Sequence, residues 1–214
     1  MIRAVLFDLD GTLINSLADI ASAMNRALRL HGLEEYDEAA YRYLVGNGAR
    51  ILAQRAVGKR QEMAETVLRD YQAWYGTHNL VQSAPYPGIV EMLSDLKASG
   101  LRLMVLSNKP DADTQHVIRH FFPEDTFALV RGQREGVPIK PDPTAALDMA
   151  AQLGVAPSEM LYLGDTSVDV TCARRAGMHS VGVLWGFRER AELEEAGAEH
   201  IVSDPSEVRL LLGA

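Results

Sequence analysis

The sequence predicts an α/β protein: a three-layer core built on a parallel β-sheet, with an all-helical segment inserted after the first strand. Three observations support this fold. The apolar run Ala4–Phe7 has the near-continuous hydrophobicity of a strand covered on both faces. Residues 16–83 carry helical periodicity without a convincing strand. After residue 88, apolar segments of strand length alternate with helical segments, which is typical of βαβ units.

The inserted segment begins where the hydrophobic period changes from that of a strand to that of a helix. From Leu17 onward, apolar residues recur three and four positions apart, which predicts a helix that ends at Gly32. Three more helices are predicted over 36–45, 49–57 and 62–75. Because no strand separates them, we expect these helices to pack on one another.

The motif SAPYPG, residues 83–88, marks the return to the core. After it we predict helices over 89–99, 113–121, 143–153 and 167–176, and strands over 101–106, 127–130, 160–163 and 180–184. The chain therefore divides into a core domain, residues 1–15 and 84–214, and a helical cap domain, residues 16–83. A cap inserted here is placed to cover the end of the sheet and exclude water.

The composition is that of a globular protein that does not bind nucleic acid or membranes through its overall charge. The chain has 214 residues, 47% of them hydrophobic, which is enough for a substantial core, and its net charge of −8 disfavours nucleic acid and anionic membranes as partners. Cys172 is the single cysteine, so the chain has neither an internal disulfide nor a CxxC metal site.

Asp8 and Asp10 interrupt the first apolar run, and no apolar stretch approaches the roughly 20 residues of a membrane span. We expect a cytoplasmic protein; no pattern indicates an oligomeric state.

Two acidic residues follow the first strand directly. Asp8 and Asp10 are two positions apart, so on an extended chain their side chains point the same way. Open α/β sheets bind ligands at the carboxyl ends of their strands, which is where both lie. Two crowded carboxylates repel each other, and a divalent cation relieves that repulsion; Mg²⁺ is the expected cofactor because it prefers hard oxygen ligands.

Other strands of the predicted sheet also end in polar residues. The strand over 101–106 leads into Ser107, Asn108 and Lys109, and the strand over 160–163 leads into GDTSVD, which contains Asp165 and Asp169. Singly, such residues have simpler interpretations, since an Asp before Gly often forms a turn and Ser or Asp often begins a helix. These interpretations leave unexplained why strand after strand ends in a charge or a hydroxyl.

The spacing of these residues resembles that of the haloacid dehalogenase superfamily of phosphohydrolases, whose core is Rossmann-like. DLDGT, from Asp8 to Thr12, is similar to its first motif, and Ser107 to its second. Lys140, followed by proline, is similar to the third motif, and GDTSVD to the fourth. The resemblance covers nearly the whole chain, including a helical cap of the C1 type between the first two motifs.

The resemblance implies a role for each acidic residue. Asp8 would be the nucleophile that forms an aspartyl phosphate, and Asp10 would protonate the leaving oxygen and later activate water. The Asp8 carboxylate, the Asp10 backbone carbonyl and Asp165 would hold Mg²⁺, with Asp169 orienting the site through water. Crowding by the neighbouring carboxylates is expected to favour the protonated form of Asp10.

The resemblance also implies which residues bind the phosphoryl group. Ser107 and Lys140 would bind its non-bridging oxygens, with Lys140 acting as a point charge. Thr12 and Asn108 would add hydrogen bonds. Because Asp10 stands where dehalogenases carry an aromatic residue, phosphate chemistry is favoured over dehalogenation.

The cap is expected to select the substrate. Its segment LVGNGARILAQRA is similar to one found in bacterial phosphoglycolate phosphatases. Gly46 and Gly48, which flank Asn47, either bring backbone N–H groups to an anion or form an interhelical loop. Arg50 is a candidate clamp for a substrate carboxylate or a solvated surface residue, and Arg134 is a candidate that precedes Lys140 in the chain.

The expected activity is Mg²⁺-dependent hydrolysis of a small phosphorylated metabolite, with 2-phosphoglycolate as the best single candidate. A phosphomutase of the β-phosphoglucomutase type, a pyrophosphatase and a nucleotidase are alternatives on the same fold. A non-catalytic phosphate-binding module is disfavoured because the groups needed for turnover are all present. The expected partner is the small phosphorylated substrate, with neither nucleic acid nor membrane.

Overall fold

The computed structural model describes residues 1–213 and has the predicted α/β architecture. Its strands are β1 (Ala4–Phe7), β2 (Ile14–Asn15), β3 (Ala84–Pro85), β4 (Arg102–Pro110), β5 (Leu129–Gln133), β6 (Met160–Gly164), β7 (His179–Val183) and β8 (His200–Val202). Its helices are α1 (Leu17–Leu30), α2 (Glu38–Leu44), α3 (Ala49–Ala56), α4 (Ala64–His78), α5 (Ile89–Ala98), α6 (Asp111–Phe121), α7 (Thr144–Leu153), α8 (Ser167–Ala176) and α9 (Arg190–Glu195). Short 3₁₀ turns lie at Gln61–Met63, Pro157–Glu159 and Pro205–Gly213.

Six parallel strands form the sheet, in the order β5-β4-β1-β6-β7-β8. β1 lies in the middle and is fully buried, with Val5 opposite Leu103 of β4 and Leu161 of β6. Because successive side chains of a strand point to opposite faces, β1 contributes to two separate cores. Val5 packs in the cluster that includes α5 and α6, and Leu6 packs in the cluster that includes α7 and α8. Helices therefore cover both faces of the sheet.

This strand order places the polar residues together. β1 is hydrogen-bonded to β4 on one side and to β6 on the other, and all three run the same way. Asp8 follows β1, Ser107 lies in the last part of β4, and Asp165 follows β6. The carboxyl ends of three adjacent strands thus supply one site.

Helices α1 to α4 form a block with its own hydrophobic cluster, in which α1 packs on α4. One member of this cluster, Phe187, belongs to the segment that follows β7. β2 and β3 pair as a short antiparallel ribbon where the chain enters and leaves the block. No helix within residues 1–213 is both long enough and apolar enough to span a membrane.

Most predicted elements are confirmed, with shifts at their ends. The first helix ends at Leu30 rather than Gly32, and β4 continues through Pro110, well past the predicted end at residue 106. The sequence analysis missed β8, α9 and the β2–β3 ribbon. These elements have between two and six residues each, too few for a hydrophobic period to be recognised.

Candidate active site

Three buried carboxylates meet at the carboxyl end of the sheet. Asp8, Asp165 and Asp169 each place a carboxylate oxygen within 4.8 Å of the others. Asp8 follows β1, Asp165 follows β6, and Asp169 lies in the first turn of α8. We call these three residues the carboxylate cluster.

Glycines allow the backbone to approach this cluster closely. Gly11 has a φ of 88°, and a Cβ added there would overlap the Asp165 carboxylate. A Cβ at Gly164 would likewise overlap Asp169. The backbone N–H of Leu9, the next residue along the chain, donates to Asp8 Oδ1 at 2.7 Å and fixes that carboxylate at the strand end.

Lys140 joins two members of the cluster. Its Nζ lies 2.8 Å from Asp8 Oδ1 and 2.7 Å from Asp169 Oδ1, and it also donates to the carbonyl of Leu106 at 3.0 Å. Asn108 holds the backbone of Lys140 from both sides, accepting from its N–H at 2.9 Å and donating to its carbonyl at 3.1 Å. The ammonium is 3% exposed, so these carboxylates provide its neutralising charge.

Each carboxylate of the fourth motif has further donors. Asp169 Oδ2 accepts from the hydroxyl of Thr166 at 2.7 Å and from its backbone N–H at 3.2 Å. Asp165 Oδ2 accepts from the backbone N–H of Phe187 at 2.8 Å, and its Oδ1 accepts from Thr12 Oγ1 at 3.3 Å. Thr12 is fully buried and faces Asp165, so its hydroxyl supports the cluster rather than opening to a phosphoryl group.

Burial and mutual repulsion dominate the electrostatics of the cluster. Burial, followed by the charge of Asp169, raises the pKa of Asp8 to about 7 against the opposing effect of Lys140. Burial and the charges of Asp169 and Asp8 raise the pKa of Asp165 well above its usual value. Burial opposes the charge of Lys140, but Asp169 and Asp8 outweigh it and raise the pKa of the ammonium.

Asp10 is turned away from this crowding. Its Oδ1 accepts from Ser16 Oγ at 2.6 Å and forms an ion pair with Lys109, a buried residue that the sequence analysis did not select. The carboxylates that crowd one another are those of Asp8, Asp165 and Asp169, and the Asp10 side chain is not among them. Lys109 follows Ser107 by two positions on an extended strand, and this alternation was the available signal that the two side chains share a side.

A cleft that is partly open to solvent separates this site from the helical block. Its core wall includes Asp8, Asp10, Ser107 and Lys109, whereas its block wall is largely apolar and aromatic. The block contributes Ile20, Val45, Ala49, Leu52, Tyr71, Gln72 and Tyr75 to that wall, and Phe187 of the segment after β7 lies beside them. A mostly apolar wall that faces a few convergent polar groups is the usual form of a site for a small ligand.

Gly46 and Gly48 also line the cleft, and there the block comes closest to the core. Asn108 Nδ2 donates to the carbonyl of Gly46 at 3.1 Å. A Cβ at Gly48 would lie 3.3 Å from the Asn108 carbonyl, and both glycines have positive φ. These glycines allow a close backbone contact across the cleft.

Three of the predicted specificity residues, Arg50, Asn47 and Arg134, do not line the cleft. Arg50 is exposed and forms an ion pair with Glu65 of α4, so the expected carboxylate clamp is not formed in this structure. Asn47 is held by Arg55, whose guanidinium donates to its side-chain oxygen at 2.8 Å. Arg134 is exposed and lines a smaller neighbouring cavity that Lys140 also lines.

The carboxylate cluster fits a divalent cation. It offers hard oxygen donors that are close together and buried, and Lys140 supplies one positive charge to three carboxylates. The only side-chain partner of Asp8 among residues 1–213 is Lys140, and that of Asp165 is Thr12. Both carboxylate oxygens of Asp169 accept hydrogen bonds from side chains, one from Lys140 and the other from Thr166. The Asp10 carboxylate lies outside the cluster, which leaves its backbone carbonyl as the group that could take part.

Comparison with known proteins gives consistent matches over the whole chain. The model of the family described as haloacid dehalogenase-like hydrolase matches residues 5–183. A phosphoglycolate phosphatase of Mannheimia succiniciproducens is 33% identical over 211 residues, covering 94% of each chain. Another, of Aquifex aeolicus, is 32% identical and covers 98% of this chain and 96% of its own. The crystal structure of a predicted phosphoglycolate phosphatase from Haemophilus somnus superposes with a TM-score of 0.91 at 30% identity, covering 98% and 97% of the two chains.

Proposed function

This chain belongs to the haloacid dehalogenase-like hydrolase family, and we propose that it is a Mg²⁺-dependent phosphatase of a small phosphate monoester, with 2-phosphoglycolate as the best candidate. The observation that carries the proposal is the carboxylate cluster joined by Lys140 at the floor of the cleft. Asp8 and Asp165, with the Asp10 backbone carbonyl, would hold the ion, and Asp169 would orient the site. Mg²⁺ bound there would supply positive charge that stabilises the phosphoryl oxygens during transfer.

Asp8 is the proposed nucleophile. Both of its protein donors, Leu9 N–H and Lys140 Nζ, reach Oδ1, so Oδ2 has no hydrogen-bond donor among residues 1–213. Attack by Oδ2 forms an O–P bond and breaks the ester P–O bond, giving an aspartyl phosphate and an alcohol. Lys140 restrains the carboxylate through Oδ1 and adds a positive charge beside the phosphoryl group.

Asp10 is the proposed proton donor and acceptor. In the first step its carboxylic acid protonates the leaving oxygen, and in the second its carboxylate takes a proton from the water that attacks phosphorus. Release of phosphate then restores Asp8. The Ser16 hydroxyl orients Asp10, and the Lys109 ammonium stabilises its carboxylate form, which the second step requires.

Lys109 takes the place that the sequence analysis gave to Arg50. It is the cationic side chain among the residues that line the cleft, and Arg50 lies outside them. A substrate carboxylate that binds Lys109 in place of Asp10 would leave Asp10 free to hold the proton needed in the first step. Ser107 lines the cleft beside Lys109 and is the proposed donor to a phosphoryl oxygen.

The division into a core, residues 1–15 and 84–214, and a cap, residues 16–83, is part of this proposal. It is supported by the separate hydrophobic cluster of α1 to α4 and by the β2–β3 ribbon at the crossing points. A cytoplasmic location is also proposed; the single cysteine, Cys172, is buried and free, as suits a reducing compartment.

The test is phosphate release from a panel of esters in the presence of Mg²⁺: 2-phosphoglycolate, sugar phosphates, nucleotides and pyrophosphate. We expect the highest kcat/KM for 2-phosphoglycolate. A higher kcat/KM for pyrophosphate or a nucleotide would replace this substrate assignment. A requirement for a sugar bisphosphate activator would indicate a phosphomutase.

A further inference from the structure

One segment of the core touches both the carboxylate cluster and the helical block. It follows β7 and comprises residues 185–188, which we call the docking loop. The side chain of Phe187 is 3% exposed and packs in the hydrophobic cluster of α1 to α4. The backbone N–H of the same residue donates to Asp165 Oδ2 at 2.8 Å. A single residue therefore joins the interior of the block to a proposed metal ligand.

Hydrogen bonds from two arginine side chains connect the docking loop to the helical block. Arg42 of α2 donates from Nε to the Phe187 carbonyl at 3.1 Å and from a terminal nitrogen to the Gly186 carbonyl at 2.7 Å. In the opposite direction, Arg188 of the loop donates to the Val45 carbonyl at 3.0 Å. These three hydrogen bonds cross from one part of the chain to the other and fix the loop backbone on both sides of the Phe187 side chain.

The loop has little freedom on its core side. A Cβ at Gly186 would overlap both Asp165 and the Gly11 carbonyl, so the loop backbone lies directly against the first and fourth motifs. Trp185 Nε1 donates to the Thr12 carbonyl at 2.9 Å. A displacement of the loop therefore cannot leave Asp165 undisturbed, because the two are in contact and share a hydrogen bond.

We propose that the docking loop couples the seating of the helical block to the orientation of Asp165, with Arg42 and Phe187 as positioning residues for the metal site. When α2 is seated, Arg42 holds the two loop carbonyls, and the Phe187 N–H directs Asp165 toward the other carboxylates. When the block moves away, the loop loses Arg42 and the packing of Phe187, and Asp165 loses a fixed donor. The inference rests on the Mg²⁺ site of the proposed function.

Coupling of this kind is reciprocal. If seating of the block favours Mg²⁺ binding, Mg²⁺ must favour the seated block by the same factor. Metal binding would then help to close the cleft around substrate. Mutation of groups that orient a metal ligand typically weakens metal binding by about 10- to 100-fold, which sets the size of effect to look for.

The experiment measures Mg²⁺ binding to the full chain without substrate, by titration calorimetry, in wild type, Arg42→Ala and Arg69→Ala. Arg69 is the matched control because it is an exposed arginine of the block whose salt bridge is with Asp70 of the same helix. We expect Arg42→Ala to bind Mg²⁺ about ten-fold more weakly and Arg69→Ala to bind like wild type. Since Arg42 is exposed, its truncation leaves no buried cavity.

Two conservative variants separate positioning from general damage. Arg42→Lys keeps one donor and should bind Mg²⁺ with an affinity between those of Arg42→Ala and wild type. Phe187→Leu keeps an apolar side chain in the block and leaves the backbone N–H intact, so it should bind more tightly than Phe187→Ala. At saturating Mg²⁺, turnover by Arg42→Ala should return toward the wild-type value.

The coupling is overturned if Arg42→Ala binds Mg²⁺ within two-fold of wild type, or if Arg69→Ala weakens binding equally. A wild-type protein that binds no Mg²⁺ would instead overturn the metal site of the proposed function. The titration of wild type distinguishes the two cases: wild type binds Mg²⁺ if only the coupling is wrong, and does not bind it if the metal site is wrong.

Discussion

Mg²⁺ binding should release protons from the carboxylate cluster. Burial and the charge of Asp169 raise the pKa of Asp8 from 3.8 to about 7, and burial raises that of Asp165 as well. At pH 6, a carboxyl group with a pKa near 7 is protonated in about nine of ten molecules. A bound cation requires the carboxylate form, so binding at pH 6 should expel about one proton from Asp8 alone.

The assay is titration calorimetry of Mg²⁺ into the protein at pH 6, in two buffers with different heats of ionisation. The difference between the observed heats gives the number of protons released. We predict about one or more, and an affinity for Mg²⁺ that rises about ten-fold per pH unit below pH 7. Heats that do not depend on the buffer, with an affinity that is constant from pH 5 to 7, would show that Mg²⁺ binding releases no proton from Asp8.

The same shift determines how the stability of the metal-free protein depends on pH. Because the folded pKa of Asp8 is raised, the folded state binds more protons than the unfolded state between about pH 4 and 7. The free energy of unfolding without metal should therefore fall as the pH rises through this window, and Mg²⁺ should offset the loss. The control is Asp8→Asn in EDTA, whose melting temperature should fall less, or rise more, from pH 5 to 7 than that of wild type, because the carboxyl responsible for the loss is gone. The same pH dependence in wild type and Asp8→Asn would contradict this sign.

Two substitutions test other features of the site. Lys140→Ala removes the ammonium that lies between Asp8 and Asp169, and leaving buried charges unpaired should lower the free energy of unfolding by about 3–5 kcal/mol in denaturant titrations. A decrease in the free energy of unfolding of less than about 1 kcal/mol would mean that the two ion pairs of Lys140 contribute little to stability. Tyr75→Phe removes a buried hydroxyl that has no hydrogen-bond partner among residues 1–213, so the melting temperature should stay the same or rise. A clear fall in melting temperature would show that the hydroxyl has a partner, such as an ordered water.

The positions of the principal site residues could be predicted because they follow from local pattern and sheet topology. Asp8, Asp165 and Ser107 lie at the ends of apolar strands, and parallel strands bring their carboxyl ends to one edge. Lys140 follows no regular strand, and only its resemblance to a family motif pointed to it. Its two ion pairs confirm that it reaches the cluster.

The remaining features depend on long-range contacts that no local pattern encodes. Phe187 is a single aromatic residue in an irregular segment, and its place inside the helical block depends on how two distant parts of the chain pack. Arg50 shows the opposite case: its position in a family-like segment suggested a clamp, but the direction of its side chain on α3 leads it to Glu65. Lys109 is visible in the sequence at the end of an apolar run but receives no role there, because β4 extends farther than that run and carries Lys109 into the site.

Attack by Asp8 on the phosphoryl group at a metal-dependent site can be tested through phosphate release from 2-phosphoglycolate by wild type and Asp8→Asn, each with Mg²⁺ and with EDTA. We expect release only by wild type with Mg²⁺. Release by wild type in EDTA, or release by Asp8→Asn at the wild-type rate, would contradict this expectation.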